Sequence, residues 1–310
     1  MGYVALAMLF SCSALSQTTA DPIAKARSLL DAGQVHEAET ILLNYLITNP
    51  SSADAHFLLG YALFRDQRPK DSLAEFTAGA KFRRPRADEL KIVAGDYVML
   101  NDYADADEWF SQVVSQAPND ADAWYLLGRT KFNENEFADA ISSFERALSL
   151  HPRFVEAENN IGLSWKGLND HDRARAAFQT AIQWQGDAPV DAQPFLNLGT
   201  LLADDHKDDE AVPYLSKAVA LAQQNPTAHE ALGKTYFAIN KLPDAQGELE
   251  KAIALAPLVS SLHYKLAQIL RKEGSNERAQ QEFALCEKLN GARSSPKTPN
   301  PPPGKSDEPR

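Results

Sequence analysis

The chain has 310 residues, 44% of them hydrophobic and 24% charged, and carries a formal net charge of −11. That acidity opposes nucleic-acid binding, which draws on net positive charge, and it favours basic or neutral partners. Two cysteines, Cys12 and Cys286, are too few for a disulfide framework.

The first predicted element is an export signal over residues 1–16. Val4 to Phe10 is an apolar run too short to span a bilayer. Ala14-Leu15-Ser16 then sets small residues before a cut ahead of Gln17. No Lys or Arg precedes the apolar run, which is atypical of such signals. The alternative is a lipid anchor: Leu9-Phe10-Ser11-Cys12 resembles a bacterial lipoprotein box, with Cys12 as the lipidated residue. Either reading places the mature chain outside the cytoplasm, secreted or in the periplasm of a bacterial envelope.

From residue 19 to 290 the sequence repeats. Ala26, Gly60, Ala94, Gly128, Gly162, Gly199, Gly233 and Ala267 stand 34 apart, with one step of 37. Twelve residues after each comes another small one: Ala38, Ser72, Ala106, Ala140, Ala174, Ala211, Ala245 and Ala279. A period of 34 predicts eight helical hairpins, each able to bury its apolar face only against its neighbours. The small pairs are the closest approach of the two helices in a hairpin. Phe76, Phe110, Phe144, Phe178 and Phe283 recur four residues further on and fill the adjacent layer. Gly33, Asn101, Asn135, Asn169, Asn240 and Gly274 fall where the hairpin turns, as residues that tolerate the left-handed conformation.

Departures from the repeat predict weak joints. Lys25 and Tyr45 make the first repeat an end cap. Ser72, Gly79 and Arg84-Pro85 predict a looser second helix in the second repeat. Three extra residues near 186–191 predict a joint between the fifth and sixth repeats. Cys286 falls where Ala147, Ala181, Ala218 and Ala252 stand in other repeats, so it is expected to be a small buried hydrophobe. Residues 291–310 are rich in proline and nearly devoid of apolar side chains, which predicts a disordered tail.

The fourth repeat begins Ala121-Asp122-Ala123-Trp124-Tyr125-Leu126-Leu127-Gly128 and continues through Ala140, Phe144, Ala147 and Pro152. This resembles the tetratricopeptide repeat, W-x2-L-G followed by a small residue, A-x3-F and P. The resemblance implies an all-α fold, a right-handed solenoid of sixteen helices in eight hairpins. It also implies a concave groove lined by the first helix of each hairpin, where ligands of this family lie. The residues of this chain at the groove positions are Phe57, Tyr61, Phe64 and Arg65, then Lys91, Val98 and Met99. Tyr125, Arg129, Phe132 and Asn133 follow, then Asn159, Leu163 and Lys166. Asn160 and Asn197 share a neighbouring position from which they could hydrogen-bond a ligand backbone. Aromatics beside arginines suit an extended peptide with apolar and acidic side chains; the competing expectation is that several aromatics only fill contacts between repeats.

The repeats leave no room for a catalytic domain, and the chain shows no phosphate loop, HExxH, Cys-x-x-Cys or nucleophile elbow. No cofactor and no metal is expected. His56, His229 and His263 occupy the repeat position of Trp124 and Phe195 and are expected to replace an aromatic rather than ligate. The acids of 204–209, like Asp102, Asp105 and Asp107, are expected at helix starts. The function that follows is an exported scaffold that binds a protein or peptide segment. The alternative is a glycan-binding accessory subunit of an envelope polysaccharide or secretion system, since groove aromatics also stack on sugars.

Overall fold

The computed structural model describes residues 21–294, and these form sixteen α-helices with no strand among the described residues. The signal and lipid-anchor readings, and the tail from 295 onward, lie outside the described residues. The chain divides into two compact units, one ending at Glu134 and one beginning at Asn135. The N-terminal unit holds α1 (Pro22–Asp31), α2 (Val35–Thr48), α3 (Ala53–Arg65), α4 (Pro69–Ala80), α5 (Ala87–Met99), α6 (Tyr103–Gln116) and α7 (Ala121–Asn133). The C-terminal unit holds α8 (Phe137–Leu150), α9 (Val155–Gly167), α10 (His171–Trp184), α11 (Gln193–Asp204), α12 (Asp208–Leu221), α13 (Pro226–Ala238), α14 (Leu242–Leu255), α15 (Ser260–Lys272) and α16 (Asn276–Ser294). None of these helices is long and apolar enough to cross a membrane.

Local chemistry sets the helix ends. The side chains of Asp21, Ser52, Asp102, Asp120, Asp170 and Asn225 accept hydrogen bonds from backbone N–H groups of the first turn that follows each. Each hairpin turns through a residue with positive φ. Gly33, Asn101, Asn135, Asn169, Asn240 and Gly274 do so as the sequence suggests, and Gln67 (φ 59°) and His206 (φ 58°) adopt the same conformation. The turn geometry therefore overrides the intrinsic reluctance of those two residues.

Packing follows the two small-residue registers. In the N-terminal unit α1 pairs with α2, α3 with α4 and α5 with α6. Successive first helices also touch, α1 with α3 and α3 with α5, and so build one continuous face. The C-terminal unit repeats this with α9, α11, α13 and α15 as first helices. A Cβ on Gly162 would lie 2.5 Å from the Phe178 ring, and one on Gly60 would lie 2.7 Å from the Phe76 ring. Phe110, Phe144 and Phe178 are fully buried, each contributing about 1.5–3 kcal/mol relative to an exposed side chain.

Three details differ from the sequence expectations. The second helix of the second repeat is not loose: Ser72 is fully buried and donates to the Gly60 carbonyl at 2.9 Å. Gly79 admits the Phe57 ring where a Cβ would come within 2.8 Å. The joint expected at 186–191 is a loop between α10 and α11. The Gln185 side chain closes that loop by accepting from the backbone N–H groups of Val190 (3.1 Å) and Asp191 (2.9 Å) and donating to the Asp191 carbonyl (3.2 Å). Cys286 is half-buried, unlike the alanines it replaces, because among the described helices α15 packs on one side of α16 and nothing covers the other. Helix α16 runs to Ser294, past the boundary expected at 290.

Candidate functional site

The first-helix face of the N-terminal unit opens into a cavity of about 240 Å³. Its floor is apolar: Phe57 and Leu58 of α3, Phe76 of α4 and Ile92 of α5, with Tyr61 as a wall. Phe57 and Phe76 stack with ring centroids 5.7 Å apart. The Arg83 guanidinium lies over the Phe57 ring, 4.6 Å from its centroid.

Charges ring the mouth. Arg83 donates to Glu89 at 2.7 and 3.0 Å and to Asp54 at 2.8 Å. Arg86 donates to Glu89 at 2.9 Å and lies 3.5 Å from Asp88. The Glu89 carboxylate also accepts the Arg86 backbone N–H at 2.7 Å, which caps α5. Burial alone would raise the Glu89 carboxyl; the Arg83 and Arg86 bonds outweigh it and hold it below the usual carboxylate range. Arg27 of α1 completes the rim and has no ion pair or hydrogen bond among the described residues.

The groove residues expected from the sequence fall into three settings. Phe57 and Tyr61 line the cavity. Others join neighbouring repeats. Phe64 lies where a Gly95 Cβ would come within 2.9 Å of its ring, and Arg65 donates to the Leu30 carbonyl at 2.6 Å with its guanidinium 5.9 Å from the Tyr61 ring. Lys91 pairs with Asp120, and Lys166 pairs with Asp204 at 2.8 Å. Asn197 donates to Asn159, which is buried, at 2.9 Å; the backbone carbonyl of Asn160 accepts from Ser164 within α9. The third setting is α7, where Arg129 sits 5.9 Å over the Tyr125 ring, Phe132 is half-buried and Asn133 exposed. None of the α7 residues lines the cavity.

Sequence reasoning missed Arg27, Arg83, Arg86 and Glu89. Arg27 was legible: it holds the repeat position of Tyr61 and Arg129, one and three repeats earlier. Setting the first repeat aside as an end cap hid it.

Three histidines share a contact that the sequence reading did not supply. In His56, His229 and His263, Nδ1 lies 2.7, 2.6 and 2.6 Å from Glu75, Glu248 and Glu282. Nε2 of each lies 3.0 Å from the carbonyl oxygen of Pro50, Gln223 or Pro257 in the preceding turn. Trp124 makes the same turn contact, its Nε1 donating to the Pro118 carbonyl at 3.0 Å. The three repeats with His at this position are the three with Glu nineteen residues later; the others have Ile41, Trp109, Ser143, Ala177 and Tyr214 there. The His229–Glu248 pair borders a second cavity of about 610 Å³ between α12 and α14. Its recurrence in two other repeats marks it as a packing device rather than a catalytic dyad.

Of the acids of 204–209, Asp204 pairs with Lys166, and Asp208 and Asp209 stand in the first turn of α12. Asp205 lies 2.5 Å from His171 Nδ1 and accepts from Arg175 at 3.0 Å, and these bonds, the His171 contact foremost, lower its carboxyl. Asp107 is 3.0 Å from Lys131. Among the described residues one set could present a metal three ligand atoms, His36, Glu39 and Asp66, within 4.8 Å of one another. Arg68 already supplies a cation there, 2.8 Å from Glu39 and 3.7 Å from Asp66.

Comparison with known proteins agrees with the helical-repeat fold. The family described as tetratricopeptide repeat matches residues 23–87, 95–153, 125–188, 166–226 and 230–288. Protein O-mannosyl-transferase TMTC3 of Homo sapiens is 27% identical over 176 residues, covering 56% of this chain and 19% of that protein. Anaphase-promoting complex subunit 3 of Schizosaccharomyces pombe is 20% identical over 200 residues, 64% of this chain and 30% of that protein. The peroxisomal targeting signal receptor of Candida glabrata is 30% identical over 95 residues, 30% of this chain and 16% of that protein. The chain thus spans less than a third of the length of these relatives. Among solved structures, the type IV pilus biogenesis factor PilW superposes with a TM-score of 0.59 at 23% identity, over 67% of this chain and 94% of that one. The hetero-tetramer Cut9-Hcn1 superposes with a TM-score of 0.60 at 16% identity, over 91% of this chain and 55% of that one. These two show a shared fold.

Proposed function

The chain belongs to the tetratricopeptide-repeat family, and from that premise we propose that it is a binding scaffold that holds a protein or peptide segment against its first helices. The observation that carries this reading is the cavity between α1, α3 and α5, an apolar floor within a charged rim on the face where successive first helices meet. Concave apolar sites with a few placed polar groups are the usual form of a ligand site. The names of two relatives, a targeting-signal receptor and a complex subunit, fit a protein that binds other proteins. A net charge of −11 favours a protein partner over a nucleic acid. Export to a bacterial envelope is part of the proposal and rests on residues 1–16 alone; an N-terminus at Gln17 in the mature chain tests it.

Selection from a displayed random-peptide library tests the groove. Replacing Tyr61, Tyr125 and Arg129 together by Ala should abolish capture of the selected peptides with helicity intact, because aromatic and Arg anchors carry most interface energy. A Glu230→Ala/Lys234→Ala double variant in the C-terminal unit should retain it. Loss in the double variant with retention in the triple would place the site in the C-terminal unit and overturn this assignment.

A further inference from the structure

We propose that the cavity receives one bulky apolar side chain of a bound peptide, and that Arg27 pairs with a carboxylate on the adjacent residue of that peptide. This rests on the peptide-binding reading above and specifies its ligand.

The floor decides the first half. Phe57, Leu58, Phe76 and Ile92 offer no hydrogen-bond donor or acceptor from their side chains. A polar occupant would lose its water there without compensation, whereas an apolar side chain gains. A sugar is disfavoured for the same reason, since its hydroxyls would find no partners on the floor.

The rim decides the second half. Asp54 and Glu89 are bridged by Arg83, and Glu89 and Asp88 by Arg86, so these charges satisfy one another. Arg27 alone of the charged lining residues has no partner among the described residues. An unpaired guanidinium at the mouth of an apolar cavity selects a carboxylate, which it can engage with paired hydrogen bonds. The long-range field of an acidic chain favours basic ligands, so a local preference for an acid is a distinguishing signature of this pocket.

The test is fluorescence anisotropy with labelled octapeptides, Gly-Ser throughout except for a central Phe-Glu, Ala-Glu or Phe-Lys pair. The full chain is compared with Arg27→Glu and with Ile92→Trp, which fills the cavity. Circular dichroism checks that each variant keeps its helicity. Phe-Glu should bind roughly tenfold tighter than Ala-Glu, and more tightly than Phe-Lys. Arg27→Glu should invert the preference between Glu and Lys, and Ile92→Trp should erase that between Phe and Ala. Arg27 is exposed, so its variant remains informative even where the filled cavity fails to fold. Peptide binding with an unchanged Glu preference in Arg27→Glu overturns this inference while the groove reading stands. No binding of any peptide, with binding of 3-phenylpropionate or a soluble oligosaccharide in its place, overturns both.

Discussion

Asp96→Asn replaces a carboxyl that is fully buried between α3, α4 and α5, and that burial pushes up from 3.8 to about 7. Its Oδ2 lies 2.6 Å from the Ser72 hydroxyl, which donates to the Gly60 carbonyl, and its Oδ1 has no partner among the described residues. The protonated acid completes a chain from Asp96 to Ser72 to Gly60; the carboxylate leaves a buried charge without a cation. The folded chain therefore holds this proton more tightly than the unfolded one. Stability from this group is complete below 3.8, falls as pH rises from there to about 7, and is level above. At about 1.4 kcal/mol per tenfold change in proton affinity, the loss is of order 4 kcal/mol. Asn keeps a hydrogen-bonding side chain and cannot ionise. Urea unfolding followed by circular dichroism should show Asp96→Asn more stable than the parent at pH 8, by roughly 2–4 kcal/mol, and nearly equal to it at pH 4. Asp96→Thr should behave similarly, because Thr130 and Thr235 fill this position in other repeats and donate to a carbonyl of their own helix. A parent–variant difference that does not change with pH would refute the reasoning.

Other outcomes follow from the packing. Gly162→Leu should cost about 1–3 kcal/mol, since the Phe178 ring it would strike is fully buried and cannot swing aside; thermal unfolding within about half a kcal/mol of the parent would show the helices are not in contact there. Burial works against the His263 cation, but Glu282 and the Pro257 carbonyl outweigh it and raise its pKa above 6.5. The stability it contributes is complete below 6.5 and is lost as pH rises through the folded value, a loss that His263→Phe should remove from the pH profile. Gln185→Ala should admit protease to 186–191 sooner than in the parent, because it removes the three bonds that close that loop; first cuts within 53–120 instead would contradict this.

The hairpins were legible because close helix approach makes the same steric demand in each repeat. Where Gly60 and Gly162 meet Phe76 and Phe178 there is no room for a side chain, so the demand is written directly as residue type. The turn was legible at Asn101 and Gly274 but not at Gln67 or His206, where repeat geometry imposes a conformation the residue does not favour. Two site features had a signal that passed unused. Asp96 stands where other repeats carry Ala62, Thr130, Ser164 and Thr235, and a charge in such a column is the mark of a buried anomaly. The His–Glu pairing appears as a nineteen-residue spacing confined to three repeats. The rim of the cavity was harder to read. Arg83 and Arg86 lie in the irregular stretch between α4 and α5, outside the repeat register, and their bonds to Asp54 and Glu89 depend on three-dimensional placement.

Photo-crosslinking tests the central claim, that a peptide lies on the first helices of the N-terminal unit, most directly. A Phe-Glu octapeptide carrying benzoylphenylalanine in place of Phe is irradiated with the full chain, and the adduct is located by mass spectrometry. Adducts at Leu58, Tyr61 or Ile92 are the predicted result. Adducts confined to α2 and α6, or to the cavity between α12 and α14, would contradict it.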